Sequence, residues 1–224
     1  MTDQLPRTDL ADRTFAAVLF DLDGTLVDST AAVLRSWVTW AIEHDVDPLR
    51  LQGFHGVPAR QIVSQLVHPD QVDSASQRID DLELTDVTGV VGLPGAAEAL
   101  AALPAGRAAV VTSCTRLLAE ARIGAAGLQP PGAVVTADDV THGKPDPEPF
   151  LLGAERLGVP PGDCLVVEDA PMGLASARAA GMATLAVTTT TAAADLDADL
   201  VVTSLADVEL RSTSDGVRVV RRSA

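Results

Sequence analysis

The chain of 224 residues is 47% hydrophobic and 21% charged, a globular composition long enough for one moderate domain carrying an insertion. Sixteen Lys and Arg stand against 31 Asp and Glu; the net charge of −15 argues against nonspecific binding to nucleic acid or anionic membranes. No apolar run reaches the roughly 18 residues of a membrane span, Met1–Arg13 lacks a signal-peptide pattern, and two Cys make neither a disulfide scaffold nor a Cys-based zinc site, so the expectation is a cytoplasmic protein, monomeric or weakly dimeric.

Phe15–Phe20 reads as the first buried strand. Residues 31–85 hold no strand-like run, and the helical patterning of Ala31–His44, Ala59–Val67 and Val72–Leu84 predicts a helical insertion that rejoins through Asp86–Pro94. Then come a helix over Ala96–Leu103, a strand over Arg107–Thr112 and a helix over Arg116–Ala126 stopped by Gly127. The strand Ala133–Thr136 is followed by the helix Pro147–Leu157, stopped by Gly158. The strand Cys164–Val167 precedes the helix Pro171–Ala180, stopped by Gly181; strands over Ala183–Val187 and Asp199–Thr203 complete the series. After Leu210 only Gly216–Val220 has strand character, as a short edge. Apolar strands alternating with helices predict an α/β fold with a doubly wound, Rossmann-like parallel sheet. The expected division is a core of 1–30 and 94–224 with a helical cap over 31–93.

Ligands of such sheets bind at the carboxyl ends of the strands. There stand Asp21 and Asp23, then Ser113 and Cys114, then Lys144 between Gly143 and Pro145, then Glu168 and Asp169. Any one of these has a plain structural reading: an acidic turn before a helix (with Asp28-Ser29 as its N-cap), a Ser/Thr cap, a solvated Lys. Together, Asp21, Asp23, Glu168 and Asp169 offer hard oxygen ligands that suit Mg2+ and match zinc poorly. Lys144 and the Ser113 region supply charge and donors for an anion. A carboxylate nucleophile, Mg2+, a Lys and a hydroxyl make a phosphoryl-transfer site.

The motifs Asp21-Leu-Asp-Gly-Thr25, Thr112-Ser113, Gly143-Lys144-Pro145 and Glu168-Asp169, in that order, resemble the haloacid dehalogenase superfamily of phosphatases and phosphomutases. The insertion resembles its small helical cap, and the segments around Asp21, Phe54–Arg60 and Val111–Arg116 look most like its sugar-phosphate and glycerol-phosphate phosphatases. The resemblance implies that Asp21 forms an aspartyl-phosphate and that Asp23 serves as acid and base while lending its main-chain carbonyl to Mg2+. It also implies that Glu168 and Asp169 complete the metal shell, that Ser113 and the Cys114 N–H hold phosphate, and that Lys144 bridges phosphate and Asp21. Arg116 is either a phosphate ligand or a solvated helix start. His55 and Arg60 are expected to meet the substrate's hydroxyls from the cap, with a turn histidine as the other reading of His55. Trp37 and Trp40, three apart, share a helix face suited to packing. The expected activity is Mg2+-dependent hydrolysis of small sugar or polyol monophosphates. A β-phosphoglucomutase-like mutase is the alternative, and a non-catalytic phosphate-binding regulator is a third reading that the presence of Asp21 and Asp23 disfavours. In the mutases a His on the first cap helix helps position the acid–base Asp, whereas this chain has Val33 at about that place. With aromatics at 3% and no Tyr, nucleobase stacking is not expected.

Overall fold

The computed structural model describes residues 10–51 and 58–222. Strands β1 (Ala17–Phe20) and β2 (Val27–Asp28) lead into helices α1 (Thr30–Glu43), α2 (Ala59–Leu66) and α3 (Val72–Thr85). Strand β3 (Val91–Gly92), helix α4 (Ala96–Ala101), strand β4 (Ala108–Val111), helix α5 (Arg116–Ala125) and strand β5 (Ala133–Val135) follow. Next are α6 (Glu148–Leu157), β6 (Cys164–Glu168), α7 (Pro171–Ala179), β7 (Ala183–Val187) and β8 (Leu200–Val202), then β9 (Val208–Thr213) and β10 (Gly216–Arg221).

Six strands form a parallel sheet in the order β5-β4-β1-β6-β7-β8. Alternation along β1 sends Val18 and Phe20 to one face, against Val110, Leu165 and Val167, and Ala17 and Leu19 to the other, against Val111, Val166 and Phe150 of α6. Because helices cover both faces, the strand sequences are apolar throughout. Full burial of each large side chain contributes about 1.5–3 kcal/mol. Gly127, Gly158 and Gly181 follow α5, α6 and α7 at φ of 65, 69 and 75°, as the sequence predicts. Phe20 is in register with Val110 of β4 and Val167 of β6, so the residues just after these three strands emerge side by side.

Helices α1, α2 and α3 close on a small core of their own, built from Trp37, Trp40, Val46, Ile62, Val63 and Ile79, with Val33 packed against it. The two indoles meet edge to face at 5.4 Å, and Trp40 Nε1 donates to the Ala75 carbonyl at 2.8 Å. The segments that enter and leave this bundle pair with each other: β2 and β3 make a two-residue antiparallel ribbon, Val27 opposite Gly92 and Asp28 opposite Val91.

The end of the described chain departs from expectation. Gly216–Arg221 is a strand, but it pairs with Val208–Thr213 in a separate antiparallel hairpin and not with an edge of the main sheet. The hairpin buries Val208, Leu210, Val217 and Val219. Phe15, just before β1, exchanges two backbone hydrogen bonds with Val217, at 2.8 and 2.7 Å. Cys114 follows the carboxyl end of β4 and Cys164 opens β6, at opposite ends of the sheet, and both are free thiols.

Candidate active site

Lys144 reaches the carboxyl edge of the sheet from the loop before α6. That loop is fixed by its own hydrogen bonds. Glu148 accepts from the N–H groups of Thr141 and His142 at 2.7 and 2.9 Å, and the Ser176 hydroxyl donates to the Asp146 carbonyl at 2.5 Å. The ammonium uses all three donors: Asp21 Oδ1 at 2.6 Å, Glu168 Oε1 at 2.7 Å and the Val111 carbonyl at 3.0 Å. Burial opposes its charge, but Asp21 and then Glu168 outweigh that and raise its pKa. The other oxygen of Glu168 accepts the N–H groups of Asp169 and Ala170, at 3.0 and 3.1 Å. A Cβ on Gly173 would lie 1.7 Å from Glu168 Oε1, so only glycine leaves room for this carboxylate. Asp169 accepts from the Thr190 hydroxyl and packs on Gly24, where φ is 86° and a Cβ would stand 2.2 Å from Asp169 Oδ2.

Oxygens of Asp21, Glu168 and Asp169, all buried, lie within 4.8 Å of one another. Three carboxylates face one ammonium. Burial first, then the neighbouring carboxylates Glu168 and Asp169, drive the Asp21 pKa well up against the pull of Lys144. The same causes, burial then Glu168, push Asp169 up to about 7. Such a cluster is short of positive charge, and its all-oxygen donors fit a hard divalent cation. It comprises three side chains; the Asp23 carboxylate turns elsewhere, and the role expected of Asp23 toward the metal is through its main-chain carbonyl.

Asp23 belongs to a second group. Its Oδ1 accepts from the Ser29 hydroxyl at 2.6 Å and from Arg122 Nη1 at 2.9 Å, and its Oδ2 from the Cys114 thiol at 3.0 Å. Ser29 therefore gives its hydroxyl to Asp23, while Asp28 Oδ1 takes the Thr30 N–H at the start of α1. Arg122, on α5, is buried and also reaches Glu83 Oε2 of α3 at 3.4 Å. Glu83, buried as well, accepts Trp37 Nε1 at 3.1 Å; burial pushes its pKa up to about 7 against the charge of Arg122. Burial and the charge of Asp23 push the Cys114 thiol well up, so it is a donor here and not a thiolate.

The remaining expected residues divide. Ser113 stands just past β4, its hydroxyl bonded to none of the described residues. The Cys114 N–H, expected to be a phosphate donor, is taken by Thr112 Oγ1 at 3.1 Å. Arg116, weighed as a phosphate ligand or a helix start, is engaged by carboxylates here. Its guanidinium meets Asp139 at 2.6 Å and its N–H meets Asp138 at 2.8 Å, tying the start of α5 to the turn after β5. Arg60 points to solvent and pairs with Asp73 at 2.6 Å, the two side chains 65% and 87% exposed. His55 lies outside the described residues. A cleft of about 550 Å³ opens between Pro58 and Gln61, at the start of α2, and residues 142–147. Gln61 and His142 line this cleft, and Arg60 does not.

Arg122 and Glu83 went unread, although a signal exists. Arg122 shares a helix face with the buried Leu118, Ala119 and Ile123, and Glu83 continues the stripe of Ala75 and Ile79. A charge inside an apolar stripe needs a partner.

A Rossmann-like sheet with clustered carboxylates, a buried Lys and a hydroxyl-bearing loop at its carboxyl edge has the form of a hydrolase of the haloacid dehalogenase type. The chain belongs to that family: the haloacid dehalogenase-like hydrolase family matches residues 18–187. It is 40% identical to hexitol phosphatase A of Escherichia coli (strain K12) over 213 residues, covering 91% of this chain and 97% of that one. It is 36% identical to the validoxylamine A 7'-phosphate phosphatase of Streptomyces hygroscopicus subsp. limoneus, over 87% and 96% of the two chains. Among solved structures, a hydrolase from Pseudomonas syringae superposes with a TM-score of 0.76 at 26% identity, covering 86% and 95% of the respective chains.

Proposed function

We propose that this chain hydrolyses small sugar or polyol monophosphates, with Asp21 as nucleophile and Asp23 as acid and base. The observation that carries the reading is the clamp of Lys144 on Asp21 and Glu168 beside Asp169, with the separately held carboxylate of Asp23 two residues from the nucleophile. An Asp21 oxygen attacks phosphorus and the bond from phosphorus to the sugar oxygen breaks. Asp23 gives that oxygen its proton. Asp23, which enters the first step as the neutral acid, then takes a proton from water as the water attacks the aspartyl-phosphate, which releases inorganic phosphate and returns Asp21 to its carboxylate and Asp23 to its acid form.

Asp21, Asp169 and the main-chain carbonyl of Asp23 would hold Mg2+, with Glu168 fixing Lys144 and bordering the metal. Bound there, Mg2+ would supply positive charge to the transferring phosphoryl group. Lys144 has no free donor, so a bound phosphate would replace one of its three partners, with Ser113 as a second donor. The substrate class is supported by the relatives named as a hexitol phosphatase and a validoxylamine A 7'-phosphate phosphatase. Val33, packed in the bundle core, offers no side-chain donor, which favours water over a second sugar hydroxyl as the acceptor.

A panel of sugar, polyol and nucleoside monophosphates, scored for free phosphate in Mg2+ and in chelator, tests this reading. Hexitol and sugar phosphates should turn over in Mg2+ only. Asp21→Asn should lower turnover by about 10³-fold or more with the fold intact. A preference for nucleotides would overturn the substrate class. Migration of phosphate between two positions of one hexose, without release, would make the protein a mutase. An Asp21→Asn protein keeping a tenth of the activity would remove Asp21 as nucleophile.

A further inference from the structure

The group around Asp23 spans two parts of the chain. Arg122 on α5 sits between two carboxylates, Asp23 on one side at 2.9 Å and Glu83 on the other at 3.4 Å, with its side chain 5% exposed. Asp23 follows the central strand of the sheet, whereas Glu83 stands on α3 of the inserted bundle and is itself held by the Trp37 indole of α1. The Asp23 side chain is 26% exposed, so part of it stays accessible while the rest is gripped. Ser29, the residue before α1, and Cys114, on the anion loop, complete that grip at 2.6 and 3.0 Å.

We propose that Arg122 is a positioning residue for the acid–base carboxylate of Asp23, and that Glu83 and Trp37 carry the placement of the inserted bundle to that arginine. The inference rests on the phosphatase reading and deepens it. The planar guanidinium presents several donors in one rigid fork, so it fixes the direction and separation of two carboxylates more tightly than the single rotating nitrogen of an ammonium does. A shift of α3 displaces Glu83, and with it the fork that aims Asp23. Proton transfer is thereby tied to the seating of the bundle over the site. Asp23 presents its proton-transfer oxygen only while Arg122 is held from the bundle side.

The test separates aiming from folding by the leaving group. A sugar alkoxide must be protonated as it departs, whereas p-nitrophenolate departs without help. General acid catalysis contributes about 10²–10⁴-fold to the former. With Arg122→Met, kcat on a hexitol phosphate should fall by about 100-fold with KM within about threefold. The burst of p-nitrophenol from p-nitrophenyl phosphate should keep its rate within about fivefold, and slow steady-state release should follow it, because the base step on water also needs Asp23. Glu83→Gln should produce the same pattern at about a tenth of the size.

Removing a buried charge can unfold a protein, so Arg122→Lys is the second variant. It keeps the charge but cannot fork, and should lose at least about fivefold in kcat on the hexitol phosphate relative to the p-nitrophenyl burst. Equal losses on both substrates, or wild-type values for Arg122→Lys on both, would overturn the inference. Asp21→Asn, measured alongside, separates the two readings. If it stays active, the phosphatase mechanism fails whatever Arg122 does; if it is dead while the Arg122 variants show no leaving-group dependence, only the positioning role fails.

Discussion

A methyl group added at residue 173 would meet the Glu168 carboxylate at 1.7 Å, and the end of β6 cannot give way without moving Lys144. Gly173→Ala should therefore cost about 1–3 kcal/mol of stability. Catalysis should fall at least tenfold with it, because Lys144 would lose one of two anchoring carboxylates; melting curves and kcat on a hexitol phosphate check both, and an unchanged pair would show Glu168 free to leave its niche. Arg60 behaves oppositely. Its partner is a surface Asp, and exposed pairs contribute about 0–1 kcal/mol, so Arg60→Ala should leave KM for the same substrate within about twofold. A tenfold rise in KM would return Arg60 to the binding site, where the sequence alone suggested it. Asp21, Lys144, Glu168 and Asp169 were legible because each directly follows a strand or sits on a stiff loop, and a sheet gathers such residues at one edge. The contacts of Arg122 with Asp23, of Glu83 with Arg122 and of Thr190 with Asp169 join segments far apart in sequence, and spacing carries no trace of them.

The ribbon of β2 and β3 is the only ordered crossing between sheet and bundle where both linkers run side by side among the described residues, two pairs long and isolated from the main sheet. Two short paired strands bend more readily than a helix crossing, and α1–α3 have their own core to move as a unit. Crystals with and without a phosphate analogue such as aluminium or beryllium fluoride should differ by a rotation of residues 31–90 about this ribbon, with the bundle interior superposing unchanged. The same placement in both, and no exchange by NMR relaxation, would argue for a fixed roof. Helices and central strands could be read from apolar runs and Gly stops, to within a residue or two of their ends. The pairing of β2 with β3 could not, since two-residue strands have no period. The strand Val208–Thr213 was overlooked for a related reason: only Val208 and Leu210 are apolar and buried, too short an alternation to stand out beside the longer runs before it.

Over the whole molecule, the acidic surplus has its largest consequence at Asp21, Asp169 and Glu83, whose protons bind more tightly in the folded state. Asp169 rises from 3.8 to about 7, so its contribution to stability is present below about pH 4 and lost as pH climbs through about 7. Metal-free protein should melt at progressively lower temperature between about pH 5 and pH 8. A divalent cation takes the deprotonated cluster, so the rise in Tm caused by Mg2+ should grow over the same window; an equal rise at both ends would mean that Asp169 is not displacing a proton. The backbone bridge from Phe15 to Val217 has a different kind of consequence. A ribosome delivers Phe15 and the central strand early, yet the partner that pins Phe15 emerges about two hundred residues later, and the carboxylates that face Asp21 emerge at residues 168 and 169. The central strand gains its first parallel neighbour with residues 108–111 and its second only with residues 164–168. The acidic cluster is therefore completed only when residues far downstream of Asp21 have been made, and a chain interrupted between residues 21 and 168 would hold Asp21 without the carboxylates that face it.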